Sequence, residues 1–167
     1  GLSRSIQLAR DPKDLEETLL AINDLDGLIG LVQAAVLEIH PWGASLRNLE
    51  QPDMIIMDLD PGEAVSWPEV IAAALEVRER LAAVGLASFV KTSGGKGLHV
   101  VAPLQPKAAW PAVKAFAKSI ADAMAADSPA RFVATITKSK RRGKILVDYL
   151  RNGRGATAVA PYSTRAR

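Results

Sequence analysis

Two aspartates, Asp58 and Asp60, stand two residues apart at the end of the apolar run M-I-I-M at residues 54–57. In a strand, residues i and i+2 point to the same face, with Cα atoms roughly 7 Å apart. Neighbouring carboxylates resist ionising together unless a cation compensates, and oxygen ligands suit magnesium or manganese. The D-L-D-P-G motif at 58–62 therefore predicts a divalent-metal site, although ordinary turn chemistry at D-P-G is an alternative explanation.

A third carboxylate, Asp148, lies in the otherwise apolar segment I-L-V-D-Y-L at residues 145–150. A charge in such a run is costly when it is buried without a partner, so it requires a metal ion or a basic side chain. Arg151 is near enough in sequence to be that basic partner. Both interpretations of Asp148, a metal ligand and one half of an ion pair at a strand edge, stay open.

The segment T-S-G-G-K-G-L-H at residues 92–99 has the composition of an anion-binding loop. Glycines let backbone N–H groups turn toward an anion, while lysine adds charge and serine a hydroxyl. The pattern is neither a Walker A loop nor a Rossmann fingerprint, since a strand follows it rather than a helix. The alternative is a hairpin turn with an incidental lysine. The candidate anion ligands are Ser93, Gly94, Gly95, Lys96 and His99.

Charge is distributed unevenly along the 167 residues, whose formal net charge is +3. Residues 1–60 contain 4 basic and 11 acidic side chains, residues 61–130 contain 7 and 6, and residues 131–167 contain 10 and 1. This gradient favours a polyanionic ligand near the C-terminal third, and a solvated basic face is the alternative. The candidate nucleic-acid contacts are Lys138, Lys140, Arg141 and Arg142.

The overall composition excludes several classes of protein. With 49% hydrophobic and 23% charged residues the chain is expected to be globular. The absence of cysteine excludes disulfides, thiolate zinc sites and cysteine nucleophiles, and two histidines leave any metal site dependent on carboxylates. No apolar stretch approaches the ~20 residues of a membrane span and no secretory signal opens the chain, so no membrane partner is expected.

Hydrophobic periodicity predicts a mixture of helices and strands. The expected helices cover 11–23, 26–33, 67–84 and 107–126, and the expected strands cover 36–39, 53–60, 87–91, 98–102, 131–135 and 144–150. The short glycine loop between the strands at 87–91 and 98–102 favours antiparallel pairing. The predicted fold class is therefore α/β, with an antiparallel or mixed sheet flanked by helices.

Together the motifs predict a site for metal, triphosphate and nucleic acid. Three carboxylates provide enough charge to hold two divalent ions about 3.5–4 Å apart, with phosphates completing their coordination. One ion would activate a 3′-hydroxyl, and the other would hold the triphosphate and its leaving group. The reaction that suits this set is nucleotidyl transfer, in which positioning and electrostatic stabilisation supply most of the rate.

Three segments in order resemble the signature motifs of the archaeo-eukaryotic primase superfamily. They are D-L-D-P-G at 58–62, F-V-K-T-S-G-G-K-G-L-H-V at 89–100 and V-D-Y-L-R-N at 147–152. In particular they resemble the polymerase domain of bacterial DNA ligase D, and H-P-W-G at 40–43 and G-A-T-A-V-A-P-Y-S at 155–163 also fit that pattern. The resemblance extends from about residue 40 to residue 167.

This resemblance implies specific roles for the candidate residues. Asp58, Asp60 and Asp148 would bind the catalytic metals, two Mn²⁺ or Mg²⁺ ions. The glycine loop, at Ser93, Lys96 and His99, would hold the incoming nucleoside triphosphate. Arg151 and Arg165 match arginines near the nucleotide phosphates, and His40 matches an active-site histidine.

The resemblance also implies a fold, an activity and partners. The fold would be a primase core with a sheet like that of an RNA-recognition motif. The activity would be template-dependent addition of nucleotides to primer 3′ ends at broken DNA during non-homologous end joining, together with the Ku protein and an ATP-dependent DNA ligase. The expected location is the bacterial cytoplasm, at the nucleoid. Residues 1–167 would form a single catalytic domain that lacks the N-terminal, DNA-gripping part of the family domain.

Two other classes of function stay open on the sequence. One is a module that binds nucleotide or nucleic acid with little catalysis, because the DNA-gripping part is absent. The other is a different metal-dependent phosphotransferase that uses the same carboxylates.

Overall fold

A computed structural model describes residues 4–165, apart from the side chain of Lys138. Within this range the chain divides into two compact units at the boundary between Ile39 and His40. Among the described residues, no helix has both the length and the apolar character that crossing a bilayer requires.

The unit that ends at Ile39 contains a β-hairpin followed by a helix. β1 (Ile6–Asp11) pairs antiparallel with β2 (Asp14–Ile22), and α1 (Leu25–Gln33) follows. The helix begins after Asp24, whose carboxylate accepts a hydrogen bond from the N–H of Gly27 at 2.7 Å. The short helix predicted over 26–33 is thereby confirmed.

Two predictions for this unit are wrong. The helix expected over 11–23 is a hairpin, because the Asp11 carboxylate accepts the N–H of Lys13 at 2.8 Å in a turn that the fixed φ of Pro12 also favours. The leucines of this segment suit either periodicity, and pairing with β1 decides in favour of the strand. The strand expected over 36–39 is absent, because Ala35 has φ +63° and the N–H of Val36 returns to a carbonyl of α1 at 3.0 Å.

The described part of the second unit, residues 40–165, contains a five-stranded sheet in the order β4-β5-β3-β7-β6. Its strands are β3 (Met54–Pro61), β4 (Phe89–Thr92), β5 (Leu98–Pro103), β6 (Phe132–Val133) and β7 (Ile145–Asp148). β3 is antiparallel to both β5 and β7, β4 is antiparallel to β5, and β6 is parallel to β7. The strands predicted over 131–135 and 144–150 are real but shorter than expected.

Two long helices cover one face of this sheet. α2 (Trp67–Ala83) starts with a capping box, in which the Glu69 carboxylate accepts the N–H of Ser66 at 2.7 Å. α3 (Trp110–Asp127) starts three residues later than predicted, with a proline in its first turn. Both helices pack on the alternate buried residues of β3, which are Ile55, Met57 and Leu59. The intervening residues of β3, including Asp58 and Asp60, consequently point to the opposite face.

Candidate active site

A row of polar side chains crosses four strands on the face of the sheet that the helices leave free. Lys91 on β4 is the register partner of His99 on β5, His99 is the partner of Asp58 on β3, and Asp58 is the partner of Asp148 on β7. Directly opposed residues of neighbouring strands share a face. The sheet register therefore places two acidic and two basic groups side by side.

The predicted carboxylates converge at this row. One ligand oxygen from each of Asp58, Asp60 and Asp148 lies within 4.8 Å of the others. The pairing of β3 with β7 causes this convergence, since it sets Asp58 opposite Asp148, and the strand period brings Asp60 to the same face. The three acidic residues, separated by up to 90 positions in the sequence, thus form one cluster.

Asp58 is buried and held from both sides. Its Oδ1 lies 3.3 Å from His99 Nε2, and its Oδ2 accepts a hydrogen bond from Arg151 Nε at 3.2 Å. Burial by itself raises the pKa of this carboxyl, but the hydrogen bonds and positive charge of His99 and Arg151 outweigh it and hold the pKa below its ordinary value. Asp58 is therefore ionised and oriented.

Asp60 is in the opposite electrostatic situation. Burial, followed by the negative charges of Asp58 and Asp148, raises the pKa of Asp60, and Arg141 and Arg151 offset this only in part. The raised pKa shows that the nearby arginines do not fully balance the negative charge of the three carboxylates. Three carboxylates with this imbalance fit divalent cations that prefer oxygen ligands, such as Mg²⁺ or Mn²⁺.

The raised pKa of Asp60 predicts a change in stability. A carboxyl with a raised pKa binds its proton more firmly in the folded protein than in the unfolded chain, so its charge destabilises the fold at neutral pH, and this cost diminishes as the pH falls through the folded-state pKa. We expect Asp60→Asn to raise the melting temperature at neutral pH in EDTA, measured by circular dichroism. The same variant should lose the additional stabilisation that Mn²⁺ gives the wild type. A lower melting temperature in EDTA would contradict the repulsion described for this cluster.

The glycine loop between β4 and β5 separates two cavities. Ser93, Gly94 and Arg165 line a cavity of about 720 Å³, whereas Gly95 and Lys96 line one of about 420 Å³ beside the end of β3. Ser93 Oγ donates to the Gly97 carbonyl at 3.2 Å, and Arg165 Nη1 donates to the Ser93 carbonyl at 3.1 Å. Lys96 is exposed. The loop residues predicted to bind triphosphate thus line two different cavities, with Ser93 and Gly94 in one and Gly95 and Lys96 in the other.

The remaining predicted residues lie at the margins of this site. His40 is exposed, and the residue after it, Pro41, lines the larger cavity. Lys140 and Arg142 are exposed, Arg141 is half-buried near enough to Asp60 to lower its pKa, and the side chain of Lys138 is outside the described residues.

The basic segment, residues 138–144, contacts the end of β3 through a close backbone approach. The N–H of Gly62 donates to the Lys144 carbonyl at 2.8 Å, and a Cβ on Gly62 would lie 2.1 Å from the Arg141 carbonyl oxygen. Only glycine permits this contact. Gly62, directly after β3, thus serves as the docking point for the basic segment.

Asn152 is a site-forming residue that the sequence analysis did not single out. Its side-chain amide accepts the N–H of Ile56 at 2.8 Å and donates to the carbonyl of Ile56 at 2.8 Å, which continues the hydrogen bonding of β3 beyond the end of β7. This amide is 1% exposed and fixes the turn that presents the neighbouring Arg151 to Asp58. The available signal was an asparagine directly after an arginine in V-D-Y-L-R-N, but its partner, 96 residues away, was not readable from the sequence.

The fold and the acidic cluster together define a class of protein. The sequence matches the family described as "LigD, primase-polymerase domain" over residues 2–167. The chain belongs to the LigD primase-polymerase domain family, and the resemblance inferred from its three motifs is confirmed.

Individual relatives support the same assignment. The chain is 47% identical over 149 residues to the multifunctional non-homologous end joining protein LigD of Pseudomonas aeruginosa, a match that covers 89% of this chain and 18% of the relative. It is 30% identical over 147 residues to the bifunctional non-homologous end joining protein LigD of Bacillus subtilis, covering 87% of this chain and 24% of that protein. The chain therefore spans about a fifth of the length of these curated relatives.

A solved structure shares the fold. The polymerase domain from Mycobacterium tuberculosis ligase D, in complex with DNA, superimposes with a TM-score of 0.85 at 34% identity. The match covers 99% of this chain and 60% of that chain. The predicted α/β fold class with a mixed sheet is confirmed.

Proposed function

We propose that this chain is a nucleotidyltransferase that adds nucleotides to primer 3′ ends at DNA breaks, directed by a template strand. Its relatives are named as non-homologous end joining proteins, and the solved relative is a polymerase domain bound to DNA. The observation that carries the proposal is the meeting of three carboxylates within 4.8 Å, beside a histidine and an arginine, in a domain of this family.

Asp58, Asp60 and Asp148 would hold the divalent ions. Two Mn²⁺ or Mg²⁺ ions, when bound, supply Lewis acidity at the 3′-hydroxyl and neutralise charge on the triphosphate. Asp58 is suited to this role because His99 and Arg151 keep it ionised and fix its orientation. Asp60 completes the set, and its raised pKa predicts that it gains most from a compensating cation.

The glycine loop and nearby basic groups would hold the nucleoside triphosphate. Ser93, Gly94, Gly95 and Lys96 offer a hydroxyl, backbone N–H groups and an ammonium, which are the donors that phosphate oxygens require. Of the other predicted phosphate ligands, His99 and Arg151 contact Asp58, and Arg165 donates to the Ser93 carbonyl of the loop. His40 would act at the margin of the larger cavity.

The proposed partners follow from the charge distribution and the family. DNA with broken ends would contact the basic segment at Lys138, Lys140, Arg141 and Arg142. Ku and an ATP-dependent DNA ligase would act with the chain in end joining, in the bacterial cytoplasm at the nucleoid. We also propose that the chain works as one primase-polymerase catalytic domain.

The direct test is extension of a labelled primer annealed to a template that leaves a short single-stranded overhang. With Mn²⁺ and nucleoside triphosphates, we expect addition of the nucleotide complementary to the template, and none in EDTA. Nucleotide binding without extension would instead support the module that binds but does not catalyse. Transfer of phosphate to another acceptor would support a different phosphotransferase.

The basic segment predicts a salt effect on DNA binding. Each cation that neutralises a DNA phosphate contributes about −0.9 to the slope of log K against log salt concentration. We expect Lys140→Ala and Arg142→Ala each to reduce that slope by about 1, measured by fluorescence anisotropy with a duplex overhang. Lys107→Ala, at an exposed lysine elsewhere in the sequence, is the matched control. Unchanged slopes in both variants would remove this segment from the DNA interface.

A further inference from the structure

We propose that the smaller cavity, of about 420 Å³, binds one unpaired base of the DNA template strand, stacked on the indole ring of Trp67. The cavity lies beside the end of β3, between the glycine loop and the turn at residues 62–66 that leads into α2. The inference rests on the proposed function, since it takes template-directed extension as the reaction. Neither the acidic cluster nor the predicted triphosphate ligands include Trp67.

The walls of this cavity are largely apolar and carry no formal net charge. Among the described residues that line it are four apolar side chains, one anion and one cation, which are Pro61, Val65, Trp67, Val70, Glu63 and Lys96. A triphosphate requires an excess of positive charge and donors, whereas a nucleobase is flat and neutral. The lining therefore fits a base, and the volume is within the range of small-molecule sites.

Trp67 is the most exposed of the three tryptophans. It is 48% exposed in the first turn of α2. Trp110 is buried and donates from Nε1 to the Leu49 carbonyl at 2.7 Å, and the Arg154 guanidinium lies 5.3 Å from the ring centroid of Trp42. An exposed aromatic ring in the wall of a cavity is a platform on which a protein can stack an unpaired base of any sequence.

The turn that forms one wall is hydrogen-bonded to the basic segment. The N–H of Gly143 donates to the Glu63 carbonyl at 3.2 Å, next to the bond from Gly62 to the Lys144 carbonyl. The turn is therefore held in place by the segment that is proposed to contact DNA. A single strand whose phosphates contact the basic segment would pass beside this cavity.

The template strand is the source of the base because it has to run past the incoming nucleotide in order to pair with it. Gly95 and Lys96 belong both to the cavity wall and to the loop proposed to bind the triphosphate, so a base in the cavity would lie beside that nucleotide. The pairing base of the template is already engaged, so the stacked base is an unpaired one further along the overhang. The Glu63 carboxylate can accept from an amino group of such a base, and Lys96 can neutralise its phosphate.

The test is a scan of abasic sites by fluorescence anisotropy, in EDTA and without nucleotide, so that no extension occurs. The DNA is a primer–template duplex with a short template overhang from which one base at a time is removed. In the wild type, we expect one overhang position at which loss of the base weakens binding about fivefold or more. Trp67→Leu should bind the intact overhang about fivefold or more weakly, and loss of that base should then have no further effect. Trp67→Phe, which keeps an aromatic ring, should retain the preference for a base at that position.

Two controls separate stacking from charge and from folding. Leu75→Ala, at another exposed apolar residue of α2, should match the wild type at every abasic position. The slope of log K against log salt concentration should be the same in Trp67→Leu as in the wild type, because stacking neutralises no phosphate. If Trp67→Leu does not fold, tryptophan emission decides: the intact overhang should quench it more than the abasic one does, and Trp67→Phe should lose this difference.

Equal affinity of the wild type for every abasic overhang would overturn the inference, as would an abasic effect that is undiminished in Trp67→Leu. Weaker binding of free nucleoside triphosphate by Trp67→Leu, with binding of the overhang unchanged, would overturn the assignment to the template strand. A wild type that binds the overhang but does not extend primers would refute the proposed catalysis, while the abasic scan would still decide the role of Trp67.

Discussion

We expect Asp58→Asn and Asp148→Asn each to reduce the rate of primer extension on the order of a thousandfold or more. Both substitutions keep the size of the side chain but remove one of the charges that would hold the cations. The two residues are opposed on β3 and β7, so neither can replace the other from its own strand. The measurement is the initial rate of single-nucleotide addition at saturating Mn²⁺ and nucleotide, with circular dichroism to establish that each variant is folded.

Asp122→Asn is the matched control for these two substitutions. Asp122 lies on α3 and pairs with Lys118 on the surface of that helix, and its loss should leave the extension rate unchanged. A folded Asp58→Asn or Asp148→Asn protein with near wild-type activity would contradict the assignment of the cluster as the catalytic centre.

We expect Gly97→Ala to destabilise the protein by at least about 2 kcal/mol and to abolish primer extension. A Cβ at this position would lie 2.2 Å from the backbone carbonyl oxygen of Leu59, the residue between the two aspartates of β3. The oxygen belongs to the β3–β5 ladder and cannot move aside as a flexible side chain would. We expect a fall in melting temperature of about 5 °C or more, measured by circular dichroism.

Gly95→Ala in the same loop is the matched control for stability. Its Cβ would meet only Ser93 Oγ, at an ordinary 3.8 Å. The melting temperature of this variant should lie within about 1 °C of the wild type. Equal stability of the two alanine variants would show that the approach of the loop to β3 does not fix the site.

The parts of the site that the sequence predicted are those governed by local patterns. The alternation of residues 54–60 correctly separated the buried face of β3 from the face with Asp58 and Asp60. The glycine loop was correctly placed between two antiparallel strands, since a short glycine-rich connection allows no crossover. Helix α2 was bounded correctly by its proline and by the glycine after it.

The parts that it missed depend on contacts between distant segments. The hairpin at 6–22 is decided by pairing with β1, whereas the leucines of β2 also fit a helical period. Lys91 stood inside a recognised motif, but its contact with His99 requires the register of β4 and β5. Asn152 bonds to a strand 96 residues earlier. Sequence motifs identified the three carboxylates that converge, and the sheet register determines which side chains contact them.

The most direct test of the account is a Mn²⁺ titration followed by electron paramagnetic resonance, with the wild type and with Asp148→Asn. We expect saturable binding by the wild type that becomes tighter when a nucleoside triphosphate is added. We expect at least about tenfold weaker binding by Asp148→Asn, because this variant loses one of the three carboxylates of the cluster. Equal Mn²⁺ affinity in the two proteins, with or without nucleotide, would contradict the claim that this cluster holds the metal ions.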